Sequence, residues 1–337
     1  MKISFTIICF LFAISSFSQE EVGNTKNGLK EGEWSFYREN KVIQMKRNFK
    51  KGILDGDAFV FDEDGKIKYK STYVNGSETG EMILYHANGN IAMTGNHKNG
   101  ILKGKIILFY ENGKIKEESI SKAGNRNGKC VYYYESGNIQ STGLFLDNRK
   151  NNKWIFYYDN KSIQEEGNFI DDEKIGEWIT YFEKSNIREK VSFKNGILDG
   201  EVIVFFENGK INEKGIFLNG EREGLYILNF ENGNIKETGN HTESKKVGLW
   251  KSYYINGNLK DQCNFIDDKH NGEWISNYEN GNQKERGNFN NEQAIGVWTL
   301  YHENGKKNEE GQFKDNKRIG EWIFYDSDEN IIKKVVF

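Results

Sequence analysis

The chain has 337 residues, with 47 lysines and arginines against 50 aspartates and glutamates and a formal net charge of −3. The two signs are interspersed, which leaves no basic stripe for nucleic acid and no polybasic cluster for anionic lipid. Proline is absent, glycine (36) and aromatics (14 %) are abundant, and only 36 % of residues are hydrophobic. That balance suits a thin, elongated β-layer in which every backbone N–H is needed, rather than a globule with a thick core.

Residues 1–18 form a separate object. Lys2 precedes an almost wholly apolar run from Ile3 to Ile14, and Ser16-Phe17-Ser18 sets small residues at the −3 and −1 positions before Gln19. This is the pattern of a secretory signal peptide. About a dozen apolar residues are too few for a hydrocarbon core that needs ~20. Cys9 lies inside the apolar run and not in a lipoprotein cleavage context. Export to the periplasm, cell surface or medium is therefore expected, with no transmembrane segment once the leader is removed.

After an N-terminal half-repeat or cap (19–31), one period governs the chain. Glycines recur at 32, 56, 80, 104, 128, 176, 200, 224, 248, 272, 296 and 320, and Asn152 fills the missing place. Every step is 24 residues or a multiple, giving twelve complete units and a truncated thirteenth over 32–337. Counting the opening glycine as slot 1, all seven tryptophans (34, 154, 178, 250, 274, 298, 322) occupy slot 3. A fixed period of this length marks a repeat array.

Each unit has the grammar of a hairpin. Slots 3 to 7 form an apolar run such as Trp178-Ile179-Thr180-Tyr181-Phe182. Slots 8 to 10 are usually Glu-Asn-Gly, as at 111–113, 207–209 and 303–305. Asn-Gly between two β-prone runs predicts a two-residue type I′ turn, in which both central residues take positive φ. Slots 11 to 18 alternate, and slots 19 to 24 are a polar connector. With Asn-Gly as the loop, slot 3 faces slot 16, slot 7 faces slot 12 and slot 1 faces slot 18. Tryptophan then lies across from glycine: Trp154 from Gly167, Trp274 from Gly287, Trp298 from Gly311. One face is expected to carry a stripe of tryptophan, slot-12 isoleucine and slot-18 phenylalanine. The fold class is all-β: an elongated, twisted antiparallel sheet or solenoid of consecutive hairpins.

The opposite face of the first strand is apolar too. Slot 6 carries Tyr133, Tyr157, Tyr181 and Phe205, next to slot-4 isoleucines. Two readings stand: the rings are covered by Lys and Glu stems from neighbouring strands, or they form a ligand-facing aromatic stripe.

No catalytic, cofactor or metal constellation is legible. His86 and His302 fill the aromatic slot 7, while His97 and His241 fill the phenylalanine slot 18, so they read as packing substitutes. None lies at metal-ligand spacing from a second histidine or cysteine. Asp171-Asp172 and Asp267-Asp268 fall in connectors and read as solvated turns, since a calcium loop needs a longer run of oxygen ligands. Cys130 takes the tryptophan slot of its unit and Cys263 the internal glycine slot of another. In a linear array with two strands per repeat they stand roughly 50 Å apart, beyond the ~7 Å that a disulfide spans.

The pattern GEWxxYYENGxIxxxGxFxxGxxxG, read from Gly32, Gly176, Gly248, Gly272, Gly296 and Gly320, resembles the MORN repeat-variant family, often labelled as the YwqK-like antitoxin component. The resemblance spans about Val22 to Phe337. It implies consecutive antiparallel hairpins, a binding or scaffolding role, and no catalysis. The expected function is a non-enzymatic exported scaffold for protein or envelope partners. An immunity protein for an exported toxin and an aromatic-ladder binder of cell wall or glycan are the alternatives.

Overall fold

The computed structural model describes residues 20–337, so the leader assigned to 1–18 lies outside the described residues. The chain divides into two compact units at Lys161/Ser162. The first runs from the strand Glu20–Lys26 to Arg149–Tyr157, the second from Ile163–Ile170 to Ile331–Val336. No helix occurs among the described residues. Within each unit successive strands pair antiparallel as consecutive hairpins, as in the run Glu173–Tyr181, Ile187–Lys194, Ile197–Phe205 and Ile211–Leu218. The all-β hairpin-repeat architecture expected from the period is the one observed.

The two turns of each unit exchange the roles assigned from the sequence. At Glu303-Asn304-Gly305 only the glycine is left-handed (φ 85°) and Asn304 is not. Gly305 N–H donates to the His302 carbonyl at 2.9 Å, and His302 N–H to the Lys306 carbonyl at 2.8 Å. This is a three-residue loop, a type I turn closed by a left-handed glycine, and not a two-residue type I′ turn. Asparagine is there for its side chain. Asn304 Oδ1 accepts the Lys306 N–H (3.0 Å), and its Nδ2 donates to the Ser327 carbonyl of the next tip (2.9 Å). Asn208, Asn232, Asn256 and Asn280 each donate to a tip carbonyl of the following hairpin in the same way.

True type I′ turns sit in the connectors. Asn195 (φ 50°) with Gly196 (φ 76°), and Asp267 (49°) with Asp268 (65°), are both left-handed pairs. They join directly opposed residues, Lys194 to Ile197 and Ile266 to Lys269. The acid pairs 171–172 and 267–268 are thus exposed turn residues, as read from the sequence.

The longer tip loop shifts the register by one place. Slot 12 pairs with slot 6, not slot 7, as in Tyr133↔Ile139 and Tyr181↔Ile187. Its isoleucines therefore leave the tryptophan stripe, and Ile139 and Ile235 are about two-fifths exposed (41 % and 40 %). Pairing of slot 3 with slot 16 and slot 1 with slot 18 holds, as in Trp298↔Gly311 and Gly296↔Phe313. At the opening glycine the strand bulges: Glu166 faces Ile179 and Asn168 faces Ile175, so Gly176, Glu177 and Trp178 together oppose Gly167.

Where the tip glycine is replaced, the backbone keeps its geometry. Ser185 holds φ 69° in the left-handed region, which costs an L-residue roughly 1–2 kcal/mol. Ser185→Gly should therefore raise the urea-unfolding stability of the C-terminal unit by about 1 kcal/mol. A loss of stability would contradict this geometry.

Candidate interaction site

The tryptophan face is built from three side chains per unit. The first is the indole, which lies over the internal glycine of the preceding hairpin. A Cβ on Gly143, Gly239, Gly287 or Gly311 would collide with the ring of Trp154, Trp250, Trp298 or Trp322, respectively. The glycine that seats Trp298 is thus Gly287, and not its cross-strand partner Gly311. The indole N–H donates to the carbonyl just after that glycine: Trp154 to Leu144 (3.1 Å), Trp250 to Asn240 (3.0 Å), Trp322 to Gln312 (3.2 Å). Trp154, Trp178 and Trp322 are fully buried.

The second side chain is an aromatic at slot 18, set edge-on against the following indole. Phe169 meets Trp178 at 4.8 Å and 77°, and Phe313 meets Trp322 at 5.1 Å and 83°. His241 takes the same place against Trp250 at 4.9 Å and 82°. The third is a cation at slot 23, four residues before the tryptophan. Lys174, Lys246 and Arg318 lie 3.9, 4.0 and 3.9 Å from the indole centroids of Trp178, Trp250 and Trp322. Each also pairs with a carboxylate nine residues earlier: Lys174 with Glu165, Lys246 with Glu237 at 2.5 Å and Arg318 with Glu309 at 2.8 Å. A cation over an indole contributes ~0.5–2 kcal/mol, more as it is desolvated. The stripe is therefore roofed by charge on the side a second sheet would cover in a sandwich.

The unit of Trp274 departs from this plan. The seat that Trp274 would use is occupied by Cys263, eleven residues earlier, where each of the other six tryptophans has glycine. The cysteine Cβ and thiol fill the place. Cys263 Sγ lies 3.3 Å from the Asn264 carbonyl, the acceptor that a seated indole would take. Trp274 is pushed aside and left half-buried, and its N–H donates to Glu285 Oε1 at 2.9 Å. Cys263 itself is 2 % exposed and free, as is buried Cys130. An open groove of about 470 Å³ results, lined among others by Trp250, Asp261, Cys263, Phe265, His270 and Trp274. The glycine-to-cysteine exchange was visible in the sequence. Its effect on the next tryptophan was not, because the seat belongs to the neighbouring hairpin.

The slot-6 stripe sits on the other face. Tyr133 and Tyr157 in the first unit, and Tyr181 and Phe205 in the second, are half-buried at strand ends. Tyr133 and Tyr181 donate their hydroxyls to Glu118 (3.3 Å) and Glu166 (2.8 Å). Burial and the adjacent Glu166 push the Tyr181 phenol up to about 12. Ion pairs such as Lys105–Glu118 (2.8 Å) and Lys214–Glu201 (2.6 Å) cross the same face. Charged side chains therefore lie beside these rings.

At Tyr110, Tyr278, His86 and His302, slot 7 ties the tip to the next hairpin. Tyr110 and Tyr278 hydroxyls donate to the carbonyls of Tyr133 (2.6 Å) and Tyr301 (2.8 Å). His86 and His302 do the same through Nε2, to Phe109 (3.0 Å) and Tyr325 (3.2 Å). Among the described residues, no three of His, Cys, Asp and Glu converge to hold a metal ion.

The MORN repeat variant pattern matches residues 30–51, 54–75, 78–99, 102–122, 126–147, 150–171, 174–195, 198–219, 246–267 and 295–315, well over half of the chain. The chain belongs to the MORN repeat variant family. No curated protein sequence matches it significantly. Among solved structures it is similar to the TCP10 domain of Danio rerio CPAP bound to a STIL peptide. That likeness has 13 % identity and a TM-score of 0.30, over 77 % of this chain and all of that one. A TcdB2-TccC3-Cdc42 crystal structure (9 % identity, TM-score 0.18) is matched over 86 % of this chain and 19 % of its own. The Photorhabdus luminescens Tc holotoxin pore (10 %, TM-score 0.18) is matched over 91 % and 20 %.

Seating by the preceding MORN unit makes a specific prediction. Gly287→Val should displace Trp298 and cost at least ~2 kcal/mol by overpacking. Trp178→Ala should cost ~3–5 kcal/mol, and half-exposed Trp274→Ala about half of that. Urea unfolding of the three variants checks the order, and equal losses for Trp178→Ala and Trp274→Ala would refute it.

His241 carries a second one. Burial, helped by Arg222 and Lys246, lowers its pKa below the ordinary value. The unfolded chain therefore binds a proton first. Stability is intact above about pH 6.5 and is lost as pH falls through the depressed folded value. His241→Phe should flatten the decline between about pH 7 and pH 5. An unchanged slope in unfolding curves across that range would remove His241 from the account.

Proposed function

We propose that this MORN repeat protein is an exported, non-enzymatic scaffold that binds a protein partner at the cell envelope. The observation carrying the reading is how side chains divide between repeating and non-repeating roles. Those that recur every 24 residues join one hairpin to the next: tip asparagines, slot-7 rings, seated indoles and their overlying cations. The departures Cys263 and His270 gather at one open groove with the displaced Trp274. Family membership supports a repeat scaffold for protein or membrane interactions. Export rests on the residue pattern of 1–18.

A photo-cross-linker at Lys269, the exposed first residue of the strand carrying His270, should capture an envelope protein saturably, while one at Asp315 should not. Absence of any cross-linked partner from envelope fractions would overturn the scaffold reading. Recovery of a toxin would assign the immunity role instead, and co-sedimentation with purified cell wall the glycan role. Fractionation should find the chain outside the cytoplasm beginning at Gln19. A cytoplasmic chain retaining Met1 would overturn export.

A further inference from the structure

We propose that the groove beside Trp274 receives a basic side chain, a lysine or arginine carried on a partner polypeptide. The proposal rests on the scaffold reading and names its site and the chemistry of its ligand. The template is the chain itself. In the units of Trp34, Trp178, Trp250 and Trp322 a lysine or arginine lies 3.9–4.2 Å from the indole centroid. The same cation is paired with a carboxylate nine residues before it: Glu21, Glu165, Glu237 or Glu309.

In the unit of Trp274 the carboxylate is present and the cation is not. Asp261 stands in the acid position and accepts the Ser252 hydroxyl at 3.1 Å, with Lys260 at 3.9 Å. His270 stands in the cation position, with its ring perpendicular to the Trp274 indole at 5.5 Å (86°). Its Nδ1 lies 3.0 Å from Glu292, on the side of the turn. The next unit repeats the deficit, with Ala294 in the cation position ahead of Trp298 and Glu285 in the acid position. Two successive carboxylates thus flank a half-exposed indole without the lysine or arginine that their counterparts have.

The groove is lined by Glu237, Asp261 and Asp268 together with Lys246 and Lys251, and Lys246 is engaged by Glu237 at 2.5 Å. An incoming ammonium or guanidinium would meet Asp261 and the Trp274 face, as Lys246 meets Glu237 and Trp250. Its methylene stem would lie along Phe265 and the displaced indole. At about 470 Å³ the groove exceeds one such side chain and leaves room for flanking backbone. Cys263 takes part by holding the indole out of its seat.

The test is fluorescence anisotropy of a labelled Lys-Gly-Lys-Gly-Lys peptide on the full mature chain, beside its Nε-acetylated counterpart. The unmodified peptide should bind about tenfold more tightly. His270→Lys supplies the missing cation from within, so it should weaken binding at least about fivefold while keeping or raising Tm. Asp261→Asn should weaken binding similarly, and Asp315→Asn, on an exposed turn of another hairpin, should leave it unchanged. Equal binding of the two peptides, undiminished binding by His270→Lys, or an equal loss in Asp315→Asn would each overturn the proposal. A partner cross-linked at Lys269 by a chain that ignores the lysine peptide would overturn this assignment alone and leave the scaffold reading standing.

Discussion

An indole laid flat on a β-sheet needs a seat without a Cβ, and that requirement organises the protein. A single layer of hairpins has no second sheet to close its core, so each large ring must be buried by its own neighbours. Glycine below, a slot-18 ring at the edge and a cation above bury Trp178 and Trp322 completely. Because seat and indole belong to successive hairpins, the contact couples units along the chain. Stability in such arrays is approximately a sum of unit and nearest-neighbour terms, and this contact belongs to the neighbour term.

The hairpin tips add a polar counterpart. Asparagine amides and tyrosine or histidine side chains of slot 7 bond carbonyls of the next tip. These bonds run across units at the end of the strands, where the ladder itself has finished. Absence of proline and the asparagine at the turn serve the same end, which is to leave few backbone groups without a partner.

A repeat with such strict coupling makes its exceptions informative. Cys130 in place of a tryptophan lies buried beside Arg126 and Glu117 and disturbs little. Cys263 in place of a glycine acts on the following unit, and the loss of a cation at His270 and Ala294 falls in the same stretch. The groove with its aromatic wall and carboxylates lies in that stretch.

The sequence by itself determined the period, the all-β class, the slot-3 to slot-16 register and the slot-18 places of His97 and His241. Each follows from strict spacing and from residue types with few conformational uses. The turn types were decided by tertiary structure: Asn-Gly suits a type I′ turn, yet at Asn304-Gly305 the asparagine is held by a bond to Ser327 of the next hairpin. That one longer loop moves slot 12 out of the tryptophan stripe. The seat of each indole was likewise hidden, because alternation along one hairpin says nothing about what leans in from the next. The spacing of cation and carboxylate, nine residues apart, recurs six times and was a readable signal. Only folding explains it, since it places the two charges on adjacent strands over a shared ring.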